Sequence, residues 1–132
     1  MEQTFGRNLD SLAELFAFLK GAAQDYGLDD RTTFSVNMAV EELFTNMIKY
    51  GSGGEDAIEV GLDREGDQLI VRLVDTDSEP FDLNALESVD TSAPLAERRP
   101  GGLGIHLVKC LMDEVTYEYK NRITRIKLVK NL

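Results

Sequence analysis

The stretch Val40-Glu41-Glu42-Leu43-Phe44-Thr45-Asn46-Met47-Ile48-Lys49-Tyr50-Gly51-Ser52-Gly53-Gly54-Glu55-Asp56-Ala57-Ile58-Glu59-Val60-Gly61-Leu62 changes its period partway along. Up to Tyr50 the apolar residues recur at three- and four-residue steps, the spacing of one face of a helix. Beyond the glycines, Ile58, Val60 and Leu62 alternate with other residues, the spacing of a strand. Traced backward, the helix starts near Asp30, with Phe34, Met38, Leu43, Met47 and Ile48 expected on its buried side and Gly51 ending it. An earlier helix is expected from about Asp10 to Tyr26, with Leu12, Leu15, Phe16, Leu19, Ala22 and Ala23 forming its stripe. Asp10 or Ser11 is the expected N-cap of that helix, and Gly27 stands where a left-handed residue would close it.

Traced forward, Leu69, Val71 and Leu73 alternate in the same way. The polar run Asp63-Arg64-Glu65-Gly66-Asp67 between them reads as a hairpin connection. Residues 76–102 hold all three prolines and few periodic apolar positions, so they are expected to be a loop with a short helical turn near Leu83–Leu86. A third helix is expected from Leu103 to about Met112, then strands near Val115–Tyr119 and Thr124–Val129. Clustered helices with hairpin-connected strands predict an α+β fold. It would be a two-layer α/β sandwich with helices packed on one face of a mainly antiparallel sheet. No repeat, linker or low-complexity tract divides the chain, so residues 1–132 are read as one domain.

Composition narrows the function. The formal net charge is −10, from 24 acids against 14 bases. Such a surface repels the phosphate backbone and argues against general nucleic-acid binding. No apolar run reaches the roughly 20 residues of a membrane helix. The start lacks the basic and apolar regions of a signal peptide. The single cysteine excludes an internal disulfide, and no Cys/His cluster has zinc-ligand spacing. A cytoplasmic protein that meets another protein is the expectation.

Three segments can carry chemistry. In the first, Glu42 and Asn46 are four apart on a helix, so they emerge on one face a turn apart. An amide oxygen there can bind a hard cation such as Mg²⁺, while the carboxylate polarises a hydroxyl or water. Taken alone, the pair reads first as a solvated Glu and Asn on a surface helix. In the second, Val74-Asp75-Thr76-Asp77-Ser78-Glu79-Pro80-Phe81-Asp82 leaves a strand. An Asp at a strand end can accept a hydrogen bond from an amino group, although a polar turn has the same look. In the third, Arg98-Arg99-Pro100-Gly101-Gly102-Leu103-Gly104-Ile105-His106-Leu107-Val108 leads glycines into a helix. Backbone N–H groups at such a helix start can meet phosphates. His106 and Cys110 on that helix are read as packing or surface residues, with Cys110 as a small buried hydrophobe.

In this order the three segments resemble the N, G1 and G2 boxes of the GHKL superfamily, the Bergerat-fold ATPases. The resemblance is to the branch of anti-sigma-factor serine/threonine-protein kinases, and it runs from about Asp10 to Leu128. Its most specific part is Gly101-Gly102-Leu103-Gly104-Ile105-His106-Leu107-Val108 with the later run Leu111-Met112-Asp113-Glu114-Val115. The resemblance implies the Bergerat fold and ATP with Mg²⁺ as ligands. Glu42 would be the general base, Asn46 the Mg²⁺ ligand and Asp75 the acceptor for the adenine amino group. Gly101, Gly102, Leu103, Gly104 and Ile105 would border the phosphates at the end of a lid spanning roughly 83–104. Arg98 and Arg99 in that lid read either as reaching a γ-phosphate, with Arg99 assigned to it, or as an exposed loop pair. The implied partners are a STAS-domain anti-anti-sigma protein phosphorylated on serine, a sigma factor, and a second copy in a homodimer.

The chain departs from the family pattern at Asp77, where the G1 box of relatives has glycine. At about 4 Å and an effective dielectric near 20, a carboxylate facing the triphosphate would be repelled by about 4 kcal/mol per like charge. Two readings compete. One is the kinase, favoured by Glu42 and Asn46. The other is a partner-binding regulatory module of the same fold with weak or lost nucleotide binding, favoured by Asp77.

Overall fold

The computed structural model describes residues 1–50, 57–76 and 102–132, with the side chains of residues 49, 50 and 102–105 left aside. In chain order the elements are β1 (Glu2–Phe5), a 3-10 turn (Leu9–Ser11), α1 (Leu12–Asp25), α2 (Asp30–Tyr50), β2 (Ile58–Glu65), β3 (Gln68–Asp75), α3 (Gly102–Leu111), β4 (Glu114–Lys120) and β5 (Ile123–Asn131). The strands form one sheet in the order β1-β2-β3-β5-β4, antiparallel throughout. This is the α+β class expected from the change of period. β1 was not expected, and the helical turn near Leu83–Leu86 lies outside the described residues.

Local chemistry places the element ends. Gly27, at φ +66°, closes α1 in a Schellman arrangement. There Leu28 N–H donates to Ala23 O at 2.9 Å and Gly27 N–H to Gln24 O at 3.3 Å. The start of α1 differs from expectation, because the 3-10 turn moves the first helical residue back to Leu9. The cap is therefore Asn8, whose Oδ1 accepts from Ser11 N–H at 3.1 Å, while Ser11 makes no side-chain cap of α1. Asp29 caps α2, its Oδ1 accepting from Thr32 N–H at 2.7 Å. The β2–β3 connection tightens to Gly66-Asp67, since Glu65 already pairs with Gln68. In the β4–β5 connection Asn121 and Arg122 both take positive φ (53° and 65°), the backbone a two-residue type I′ turn requires.

The core lies between the inner sheet face and the helices. Ile58, Val60 and Leu62 of β2, Leu69, Val71 and Leu73 of β3, and Ile126 and Leu128 of β5 are all buried, as alternation demands. On α2 the buried stripe is Val36, Ala39, Val40, Leu43, Phe44 and Met47. Phe34 and Met38 sit about half a turn away from that stripe. Phe34 is accordingly 62% exposed and Met38 only partly buried. Phe16 is likewise at the edge of the α1 stripe and exposed, while Leu15, Leu19, Ala22 and Ala23 are buried.

One row across the sheet carries a buried charge. Phe5, Ile58, Asp75, Thr124 and Tyr119 are successive register partners on β1, β2, β3, β5 and β4. Two apolar side chains at one end of the row, both buried, stand next to a buried carboxylate and a buried hydroxyl. A carboxylate in that position must be paired or hydrogen-bonded to persist.

Candidate functional site

Asp75 ends β3 and is 1% exposed. Its partner is Arg7, just past β1, whose guanidinium meets the carboxylate on both oxygens. Nη1 donates to Oδ2 at 2.9 Å, and Nη2 forms an ion pair with Oδ1. The same Nη1 lies 3.3 Å from the carbonyl oxygen of Met47 on α2 and donates to it. Arg7 therefore ties the end of β3 to the C-terminal half of α2. The fork of a guanidinium matches a carboxylate edge, and in a dry setting each oxygen gains a charge-assisted bond.

On α2, Asn46 precedes Met47 and is 1% exposed, with its Nδ2 lacking any hydrogen-bond partner among the described residues. A buried amide hydrogen with no acceptor is costly, by about 1–3 kcal/mol for a neutral group. Such an atom at a helix flank is open to a hydrogen-bond acceptor from outside the described residues. Glu42, one turn earlier, is half-buried on the same flank. The two side chains read from the sequence thus share one helix flank, next to the residue that Arg7 grips.

The described part of the third segment is in α3, which starts at Gly102 and packs against α2. Gly102, Leu103, Gly104 and Ile105 form its first turn, where backbone N–H groups have no intrahelical acceptor. Asp77, Arg99 and Gly101 lie outside the described residues. Further along α3, Val108 is buried, and Met112, just past the helix end, is buried with it. His106 and Cys110 occupy the opposite side. Cys110 is exposed rather than buried as expected, because it falls about half a turn from Val108. Its Sγ lies 3.7 Å from His106 Nε2.

Two residues carry little or no signal in the sequence. Arg7 follows no motif, and its place depends on β1 joining the sheet. Thr124 had a weak signal only, as a hydroxyl at the start of an alternating strand, yet it is register partner to Asp75 and just as buried. Among the described residues no group of three or more His, Cys, Asp or Glu is placed to hold a metal ion. Of the described site residues, Asn46 has the amide oxygen that suits a hard cation such as Mg²⁺ alongside phosphate oxygens. Also among the described residues, no helix is long and apolar enough to cross a membrane.

The histidine kinase-like ATPase domain family matches residues 5–130. The serine-protein kinase RsbW of Listeria monocytogenes is 30% identical over 112 residues, covering 80% of this chain and 71% of that protein. The serine-protein kinase RsbW of Halalkalibacterium halodurans is 31% identical over 104 residues, covering 74% of this chain and 62% of that one. Among solved structures, the RsbU and RsbW domains of Rv1364c from Mycobacterium tuberculosis superpose with a TM-score of 0.74 at 15% identity. That match covers all of this chain, which spans about a third (32%) of the mycobacterial one. The SiaB-SiaC complex from Pseudomonas aeruginosa gives 0.70 at 15% identity, with 98% and 88% of the two chains covered. At that identity the two structures speak for the fold.

Proposed function

Because the chain belongs to the histidine kinase-like ATPase domain family, on the branch of the RsbW serine-protein kinases, we propose that it is an ATP-dependent serine kinase of the anti-sigma-factor type. Its substrate would be a serine of a STAS-domain antagonist protein. When not engaged with that antagonist it would hold a sigma factor, working as a homodimer in the cytoplasm. The observation that carries this reading is the buried pair of site residues: Asn46 on the α2 flank, its amide nitrogen without a partner among the described residues, and Asp75, which Arg7 joins to the next residue of that helix, Met47.

In this reading Asp75 accepts a hydrogen bond from the adenine amino group. Gly101, Gly102, Leu103, Gly104 and Ile105 present backbone N–H groups to the phosphates at the positive end of α3. Arg99 and Asp77, outside the described residues, are the further positions assigned to the nucleotide. Asn46 would hold Mg²⁺ through its amide oxygen, and the ion would supply charge neutralisation at the phosphates. Glu42 takes the proton of the substrate serine. As the serine Oγ–phosphorus bond forms, the bond from the γ-phosphorus to the β-bridging oxygen breaks and ADP leaves.

The test is calorimetric titration of Mg-ATP together with transfer of labelled γ-phosphate to a STAS-domain protein. Glu42→Ala should retain nucleotide affinity and lose transfer by about 100-fold or more, the range of general-base removal. Transfer that survives in Glu42→Ala would remove Glu42 from the role of base.

A second reading has one observation behind it. The carboxylate meant for adenine is already satisfied inside the chain by Arg7. A regulatory module that binds its partner with little nucleotide affinity would look the same. It is separated from the kinase by the same titration, in which it would give no heat with ATP.

A further inference from the structure

We infer that Arg7 is an internal competitor for the base-recognising carboxylate. In the nucleotide-free chain its guanidinium occupies Asp75, and an adenine base is recognised only as that guanidinium is drawn off. The inference rests on the proposed nucleotide site and adds a residue that sets affinity and base selectivity.

Three observations carry it. Both carboxylate oxygens of Asp75 are engaged by the two terminal nitrogens of Arg7. Both side chains are almost wholly shielded from water, at 6% and 1% exposure, so solvent does not weaken the pair. And Arg7 enters from the segment after β1, an edge strand of four residues, rather than from the interior of an element. A further anchor, on the α2 side, is the Met47 carbonyl, and a guanidinium released from Asp75 can keep that bond. A ligand that must first free its acceptor binds with its intrinsic affinity reduced by the fraction of chains in which the acceptor is open.

Base selectivity follows from charge. Adenine presents an amino donor, which a bare carboxylate accepts. Hypoxanthine presents a carbonyl at the same place, which a bare carboxylate repels and a carboxylate covered by a guanidinium tolerates. Arg7 therefore compresses the preference for ATP over ITP.

The experiment compares Mg-ATP and Mg-ITP affinities of the wild-type chain and of Arg7→Met, which keeps an apolar stem and removes both charge and donors. The expected result is tighter ATP binding by Arg7→Met and an ATP/ITP affinity ratio widened by about tenfold or more. Because unfolding of part of the sample lowers both affinities alike, the ratio stays readable even where the variant is less stable. Arg7→Lys, which holds the carboxylate with a single ammonium, should fall between the two. An unchanged ratio, with ATP still bound by both proteins, overturns the competitor role and leaves the nucleotide site standing. Absence of binding by wild-type and variants alike overturns both.

Discussion

Two arginine–aspartate pairs sit at opposite ends of the same sheet, and they differ in almost everything except chemistry. Arg72 and Asp63, near the β2–β3 hairpin, meet through one nitrogen at 3.1 Å with side chains 44% and 47% exposed. Arg7 and Asp75, at the other end, meet through two nitrogens with side chains 6% and 1% exposed. Water already solvates the first pair, so its attraction is nearly cancelled by the hydration and side-chain freedom it gives up. The second pair has surrendered its hydration, so each member depends on the other. A buried pair adds little net stability over an apolar substitute, yet removing one partner is expensive. It therefore acts as a constraint on what else can reach Asp75 more than as a source of stability.

Breaking the pairs separates them. Asp75→Ala should destabilise the fold by about 3–5 kcal/mol, because it strands the Arg7 charge in the core. Chemical denaturation would read this as a lower midpoint with an unchanged slope. A third carboxylate sharpens the scale. Asp29 is exposed but caps α2, and its carboxyl is held below the ordinary value of 3.8 chiefly by the Thr32 backbone N–H, then by the Thr32 hydroxyl. A group whose folded-state pKa is depressed contributes stability above its unfolded value and loses it as pH falls through the folded one. Asp29→Ala should thus lower the thermal midpoint at neutral pH, and the gap from wild type should close as acid titration proceeds below 3.8. Asp63→Ala should be the mildest, within about 1 kcal/mol, and its effect should shrink further in high salt. A cost at Asp63 equal to that at Asp75 would erase the distinction between the two ends.

Much of this architecture could be read from residue order. The switch from three- and four-residue steps to alternation placed α2, β2 and β3 because those elements each bury one face, and burial writes a period into the sequence. Glu42 and Asn46 were legible as a pair because a helix brings residues four apart together. β1 was not legible, since a four-residue edge strand with only Phe5 buried has no alternation to display. Without β1 there is no route to Arg7, because only the pairing of Phe5 with Ile58, and of Ile58 with Asp75, carries Arg7 to the site. Phe34 and Met38 mislead about the buried side of α2 for a related reason. Residue type marks both as core, and only the angular position relative to Val40, Leu43 and Met47 distinguishes inside from outside.

We propose that nucleotide binds at Asn46 on α2 and Asp75 at the end of β3, with its phosphates at the first turn of α3. Amide chemical-shift mapping during a Mg-ATP titration tests it residue by residue. The claim predicts the largest shifts at the Asn46 side-chain amide, at Asp75 and Thr76, and along Gly102–Ile105, with Arg72 and Lys127 on the outer sheet face unmoved. Shifts confined to that outer face, or no shifts up to millimolar nucleotide, would contradict it.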